Sequence, residues 1–568
     1  MHIDIVPNRG SSPAVLLRES FRQGKKVRKR TLANLSSLSP PQVEAIRKVL
    51  KGESLVRAAD LFENIRSSHH GHVDAVRKAM RRLGFPGLIA TRPSHERDLV
   101  EAMIVAQILE PGSKLATTRW WHTTTLPECF DVGEAGEDDL YRAMDWLLAR
   151  QEHIEKKLAA RHLEEGGLVL YDLTSSYFEG TTCPLAAFGH DRDGKKGKLQ
   201  VNYGLLTDEC GRPVAVSVFK GNTGDPKTLV PQVERVQDKF GIKTLVLVGD
   251  RGMLSEKQID VLKEKEGVQW ITALRSGAIS ELVKGGHLQL GFFDERNLFE
   301  LAHPDYPGER LMACRNPELA KLRAHKRESL LEATGKELEK VRGMVARGKL
   351  KGRDAIGVRV GKVVNKYKVA KHFMLEIQDD GFMFHRDEGR IEAEKALDGM
   401  YVVRTSVPKK RLDADDTVRS YKMLSQVERA FRSMKTIDLS VRPIRHRLED
   451  RVRAHIFLCM MAYYVTWHMV AAWRPMLFCD EDQAAKKTRD PVAPAARSEA
   501  AMKKVRTKKL DDGTEVHSFN TLLKELATIV RNVCRRLGAD ADESTFDVYT
   551  TPNAKQQQAY DLLEQIKV

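Results

Sequence analysis

No two of the seven cysteines (Cys129, Cys183, Cys210, Cys314, Cys459, Cys479 and Cys534) stand as a Cys-x-x-Cys pair. Neither a zinc ribbon nor a disulfide framework is therefore expected, and a reducing cytoplasm is. The opening residues, MHIDIVPNRGSS, lack the basic-then-apolar order of a signal peptide. Long apolar runs are also missing, with one exception at 456–473, IFLCMMAYYVTWHMVAAW. Tyr463, Tyr464, Thr466 and His468 interrupt that run, which predicts a helix buried against a sheet and no membrane partner. There is no internal repeat.

What is present is positive charge. Lys and Arg number 94 against 78 Asp and Glu, a formal net charge of +16. An excess of that size points to a polyanionic partner, and nucleic acid is the commonest one. At 568 residues the chain is too long for one compact core.

Residues 1–35 read as a basic β-ribbon around RESFRQGKKVRKRTL. Lys26 and Arg28 make it a candidate phosphate contact; a solvated charged edge fits equally well. Residues 36–165 read as mainly helical. The cluster His69, His70 and His72 has no acidic or cysteine partner at ligand spacing, so a solvated loop is expected there. In HERDLVEAMIVAQILEPGSKLATTRWW, Pro111-Gly112 stops one helix and Ser113 caps the next. A helix-turn-helix over 97–122 would present Lys114 and Arg119 to DNA, and plain helical packing explains the same pattern.

From residue 167 the periodicity changes to strands. GLVLYDLTS is an apolar run ending in Asp172, and TLVLVGDRG another ending in Asp250, within an alternation of strands and helices over 166–267. An α/β fold with both aspartates at strand ends follows. A carboxylate there is costly unless it is paired or binds a cation, and two together suit Mg²⁺. Turn capping by Asp172 and pairing of Asp250 with Arg251 is the plain alternative.

Residues 268–419 break the alternation and read as a β-rich insertion with a long charged helical arm; Trp270, placed in it, reads as core or as a stacking partner for a flipped base. Helices resume over 420–479. In SYKMLSQVERAFRSMKT, Tyr421, Glu428, Arg432 and Lys435 fall at about 0°, −20°, +20° and −40° on a helical wheel. Leu424, Val427, Phe431 and Met434 form the adjoining apolar stripe. A glutamate between a phenol and two cations suits a metal site beside a phosphate grip, against the alternative of surface ion pairs. Residues 480–515 read as linker or loop, and 516–568 as a helical segment.

YDLTS, VGDRGM, YKMLSQVERAFRSMK and RPIRHRLEDRVRAHIFLC together resemble the DDE transposases of bacterial insertion sequences. The resemblance is to the insertion-sequence-4-like superfamily, closest to the insertion sequence 1634 group. It implies a ribonuclease H-like catalytic domain interrupted by the β-rich insertion, with a mainly helical N-terminal DNA-binding region. It also implies Asp172, Asp250 and Glu428 as catalytic, metal-holding residues, with two Mg²⁺ ions that Mn²⁺ can replace. Direct displacement on DNA follows, without a covalent enzyme intermediate. The implied partners are double-stranded DNA, as terminal inverted repeats and as target, and a second copy of the chain in a synaptic homodimer on the cytoplasmic nucleoid. The superfamily's helix signature is matched by Tyr421, Glu428 and Lys435, while Leu424 stands where it has an arginine; Arg432 is the candidate replacement. A ribonuclease H-like nuclease that does not join, and a non-catalytic DNA-binding descendant of a transposase, are the competing readings.

Overall fold

The computed structural model of the chain describes residues 1–568 except 11, 54–60, 294–295, 483–487, 494–495, 538–543 and 568. They fall into two units, 1–68 with 530–551 and 69–529 with 552–568.

In the first unit, β1 (His2–Val6), β2 (Ala14–Gln23) and β3 (Lys26–Asn34) form an antiparallel sheet in that order. Gly24, at φ +64°, supplies the left-handed conformation that the β2–β3 turn requires. Pairing of β1 reaches only Arg18, so the rest of the β2–β3 hairpin extends as a two-stranded ribbon. A helix, Pro40–Leu50, starts with proline and a Ser39–Gln42 capping box. Strand β4 (Phe62–His69) joins Val530–Arg536 and Phe546–Tyr549 in a second small sheet. The segment 516–568, expected to be helical, thus contributes two strands as well as the helices Phe519–Leu526 and Ala554–Glu564.

The second unit opens with helices, including Gly71–Arg82, His95–Leu109, Lys114–Trp120, Glu137–Leu148 and Gln151–His162. They lead into β5 (Leu168–Tyr177), β6 (Gln200–Thr207), β7 (Pro213–Lys220), β8 (Leu245–Val248) and β9 (Val268–Ala273). Strands β5, β6 and β7 are antiparallel neighbours, and β8 and β9 run parallel to β5. Parallel strands need both faces covered, and β8 (LVLV) is accordingly buried at every residue.

The expected insertion is not a separate β domain. Its strands β10 (Leu298–Leu301), β11 (Arg310–Arg315) and β14 (Met400–Thr405) continue the main sheet, which has the order β10-β11-β14-β9-β8-β5-β6-β7. Trp270 lies on β9 opposite Leu247 and is 4% exposed, so it is a core residue and not a base-stacking platform. The charged arm does form: helices Pro317–Ala346 and Arg353–Tyr367, with the hairpin β12 (Phe373–Ile377) and β13 (Phe382–Arg386), share an apolar core of their own around Leu338, Ile356 and Phe373.

The apolar run near residue 460 is the helix Glu449–Ala472, packed against β7 and the helices His95–Leu109 and Glu137–Leu148. Among the described residues it alone is long and apolar enough to cross a membrane, and most of it is buried inside the protein. Within 480–515, expected as linker or loop, residues 483–487 and 494–495 lie outside the described residues; Glu499–Thr507 forms a helix capped by Ser498.

Candidate active site

The register of two parallel strands brings the aspartates together. The last aligned pair of β5 and β8 is Leu170 with Val248. Asp172 and Asp250 each follow two residues later, so they lie side by side where β8 ends. Asp172 is not at the end of its strand, as the sequence suggested, but in the middle of β5, which runs on to pair with β6. Its Oδ1 accepts the Leu173 N–H at 2.8 Å. Asp250 Oδ1 accepts the N–H groups of Gly252 (3.0 Å) and Met253 (2.8 Å), closing a turn. A Cβ at position 252 would lie 3.3 Å from the Asp250 carboxylate, so glycine there leaves the carboxylate its room. Turn capping and metal holding are therefore compatible at Asp250, since one oxygen serves each. No Asp250–Arg251 ion pair is present among the described residues.

Glu428 comes from the helix Leu424–Arg432, which lies on β5. The expected stripe anchors it: Leu424, Val427, Phe431 and Met434 are all buried. Phe431 meets Tyr203 of β6 edge to face at 5.8 Å, and its burial alone contributes roughly 2 kcal/mol. The helix is not continuous through the signature. Met423 separates it from the helix Ala414–Lys422, and residues Ser433–Ile437 form a π-turn, a feature often found at functional sites.

Asp172, Asp250 and Glu428 line one cavity of about 400 Å³, together with Thr174, Arg192, Asp193, Asp225, Phe431, Arg432, Lys435 and Arg442. The Asp172 carboxyl is pushed up to about 7, first by burial and then by the charge of Asp250, with a smaller push from Glu428. Tyr421 is half-buried; burial, then the charges of Asp250, Glu428 and Asp172, raise its phenol to about 12. The four groups thus share one electrostatic neighbourhood.

Three cations of the cavity are already committed. Arg192 Nη2 donates to both oxygens of Asp225, at 2.7 and 2.6 Å. Lys435 Nζ donates to Asp193 Oδ1 at 2.9 Å, and Arg442 pairs with the same oxygen. The Tyr177 N–H at 3.1 Å holds the other oxygen of Asp193, so this buried carboxylate ties the β5–β6 loop to the π-turn. Lys435, expected as an open phosphate grip, is 8% exposed and held by Asp193. Arg432 is exposed and has no ion pair among the described residues. Glu428, four residues away, has none either. Of this face only Lys435 is ion-paired among the described residues, and it is buried.

The sequence reading missed Arg192, Asp193 and Asp225. For Arg192 and Asp193 the available signal was HDRDGKKGK, an alternation of acids and bases between two predicted strands.

The remaining expected DNA contacts divide. Lys114 is buried (3% exposed) beneath His446, His455 and Cys459, and burial lowers its ammonium to about 8, so it cannot meet DNA from this position. The helix-turn-helix candidate does have its predicted Ser113 cap, whose Oγ accepts the Ala116 N–H at 3.1 Å. Its first helix is nonetheless buried along almost its whole length, and of the two cations only Arg119 is exposed. Lys26 and Arg28 are exposed on β3 of the first unit. The histidine cluster is not a solvated loop: His72 is buried, and burial lowers it to about 3.

Among the described residues no three His, Cys, Asp or Glu side chains converge as they would around one ion. The donor set still fits divalent cations. It is three hard carboxylates, each with at least one oxygen free of any donor among the described residues, and their mutual repulsion is what a cation relieves.

Residues 166–465 match the family model described as the transposase DDE domain, which is 300 of the 568 residues. Residues 3–60 match the model of the IS1634 family transposase, N-terminal domain. Among solved structures the chain is similar to the piggyBac transposase in a synaptic complex with hairpin DNA. The identity is 8% and the TM-score 0.36, over 80% of this chain and 77% of that one. No curated protein sequence matches the chain.

Proposed function

The chain belongs to the DDE transposase family, in its IS1634 group, and on that premise we propose that it binds the terminal inverted repeats of its own insertion sequence, cuts the DNA at their ends and joins them to a target. The observation that carries this reading is the register of Asp172 and Asp250 on adjoining parallel strands, with Glu428 in the same cavity. The sheet supports a ribonuclease H-like core: antiparallel β7, β6 and β5, then parallel β8 and β9.

Asp172, Asp250 and Glu428 would hold two Mg²⁺ ions, or Mn²⁺ in their place. Such ions sharpen an oxygen nucleophile and neutralise charge on a departing 3′-oxygen. The chain's own groups do the rest. Burial and the charge of Asp250 raise the Asp172 carboxyl to about 7, so cations held there would favour its charged form. Tyr421 stays protonated and donates to a phosphate oxygen. Arg432 is the cation left available to grip the phosphate beside the scissile bond, and so stands in for the arginine missing at Leu424. Asp193 fixes Lys435 and Arg442 so that the far wall of the cavity stays basic without moving. A synaptic homodimer acting on DNA in the bacterial cytoplasm completes the reading.

A strand-transfer assay tests it. Purified chain, a repeat-end duplex with an exposed 3′-hydroxyl, a supercoiled target plasmid and Mg²⁺ should yield joined products. Cutting without joining would assign the chain as a nuclease, and binding without either as a non-catalytic descendant.

A further inference from the structure

Beyond Arg18 the end of the β2–β3 hairpin pairs with no third strand among the described residues, and every residue from Ser20 to Arg30 is exposed. A two-stranded ribbon is marginally stable in water by itself. This one also carries seven cations between Arg18 and Arg30 (Arg18, Arg22, Lys25, Lys26, Arg28, Lys29, Arg30) against one acid, Glu19. Such a segment needs a polyanion to lie against, and its charge blocks strand addition by a second copy of the chain.

Its two faces are not alike. Residues directly paired across antiparallel strands point to the same side. One face therefore carries Ser20 with Lys29, Arg22 with Val27, and Arg18 with Thr31. Two of its cations are spent on Asp4, whose Oδ2 accepts Lys29 Nζ at 2.8 Å and Arg18 Nη1 at 3.3 Å. The other face carries Phe21 with Arg28 and Gln23 with Lys26, with Arg30 held by Glu19 nearer the sheet. Lys26 and Arg28 have no ion pair among the described residues. The outer face thus offers a guanidinium, an ammonium, a carboxamide and an apolar ring.

We propose that this outer face, Phe21, Gln23, Lys26 and Arg28, reads base edges in the major groove of duplex DNA, within the terminal repeats that the transposase reading assigns to this chain and on which this inference rests. The major groove of B-form DNA, about 12 Å wide, admits a two-stranded ribbon. Each of the four side chains matches a base-edge chemistry: arginine or lysine the two acceptors of guanine, glutamine the acceptor–donor pair of adenine, and phenylalanine the methyl of thymine. The five pairs from Glu19–Arg30 to the turn span about 17 Å, or roughly five base pairs. The narrow, deep groove of an A-form RNA duplex excludes the same ribbon. The opposite face, with Lys29 and Arg18 neutralised by Asp4, lies outward.

Fluorescence anisotropy with the full chain tests this against three probes: a duplex carrying the terminal repeat read from DNA flanking the gene, a scrambled duplex of equal composition, and the repeat as duplex RNA. Gln23→Ala removes no charge and Arg28→Lys keeps it. Each should weaken repeat binding by about 5- to 100-fold and leave scrambled binding within about twofold. Arg22→Lys, on the other face, should change neither. Retained preference in both Gln23→Ala and Arg28→Lys, an equal loss on both DNA probes, or RNA bound as tightly as repeat DNA would overturn the proposal. A wild-type chain without preference for the repeat would overturn the transposase reading as well, so the two failures are distinguishable.

Discussion

The cavity and the ribbon handle charge in opposite ways. In the cavity, Asp193, Asp225, Arg192, Lys435 and Arg442 are locked into pairs that tie the β5–β6 loop to the π-turn and to the loops beside them, and only Glu428, Arg432 and the aspartate oxygens are left open. On the ribbon six of the seven cations are exposed, and two carboxylates, Asp4 and Glu19, restrain three of the seven. Fixed charge in a partly dry cavity lowers a barrier because nothing must reorganise during the reaction. Mobile charge in water supplies affinity and address, with a strong dependence on salt. Chemistry and recognition are therefore expected to fail separately when either region is changed.

The largest effect belongs to the open carboxylates. Glu428→Gln keeps the size of the side chain and its place on the helix but removes the charge. Cleavage of a repeat-end duplex in single-turnover conditions should fall by about a thousandfold or more, with DNA affinity within about threefold of wild type. Residual cleavage near the wild-type rate would return Glu428 to the solvated helix face.

Next come the two cations that the helical wheel could not rank. Arg432→Ala should slow cleavage by about 100-fold, because the unpaired guanidinium is the one free to position phosphate. Lys435→Ala should cost about tenfold, because it acts through Asp193 and Arg442 remains on that carboxylate. The reverse ranking would show that DNA pulls Lys435 away from Asp193.

The comparison explains what the sequence could and could not reveal. That Asp172, Asp250 and Glu428 line one cavity was legible because each sits in a local pattern, an apolar strand or a one-sided helix. The anchoring stripe from Leu424 to Met434 was legible for the same reason. The ion pair of Lys435 was not legible because its partner Asp193 arrives from a loop 242 positions earlier. Lys114 was misjudged because the segment that covers it, around His446 to Cys459, comes more than 300 positions later; periodicity shows a polar position, not what will bury it. That strands of the insertion continue the main sheet was not legible because pairing of β14 with β9 leaves no local signature.

A cation in the interior gives the third test. Lys114→Met should raise the thermal midpoint at neutral pH by roughly 1–3 °C and leave DNA binding unchanged, since a buried charge without an acid is costly. The ammonium titrates near 8 in the folded chain, below its usual value of 10.5. Between those values the unfolded chain binds more protons, so wild-type stability from this group rises with pH across that window and its deficit against the variant narrows. A constant gap from about pH 7 to 10 would contradict the burial.

The smallest effect is expected on the inner face of the ribbon. Lys29→Ala removes an exposed cation already shared with Asp4. Repeat binding should weaken by less than about fivefold, and scrambled DNA should follow it in parallel.

One paired experiment tests the separation of chemistry from address most directly: binding and cleavage measured on the same repeat-end duplex for Asp250→Asn and for Gln23→Ala. Asp250→Asn should bind the repeat with wild-type preference and not cut it. Gln23→Ala should lose preference yet cut at close to the wild-type rate once DNA saturates it. Loss of both properties in either variant, or cleavage by Asp250→Asn, would contradict the account.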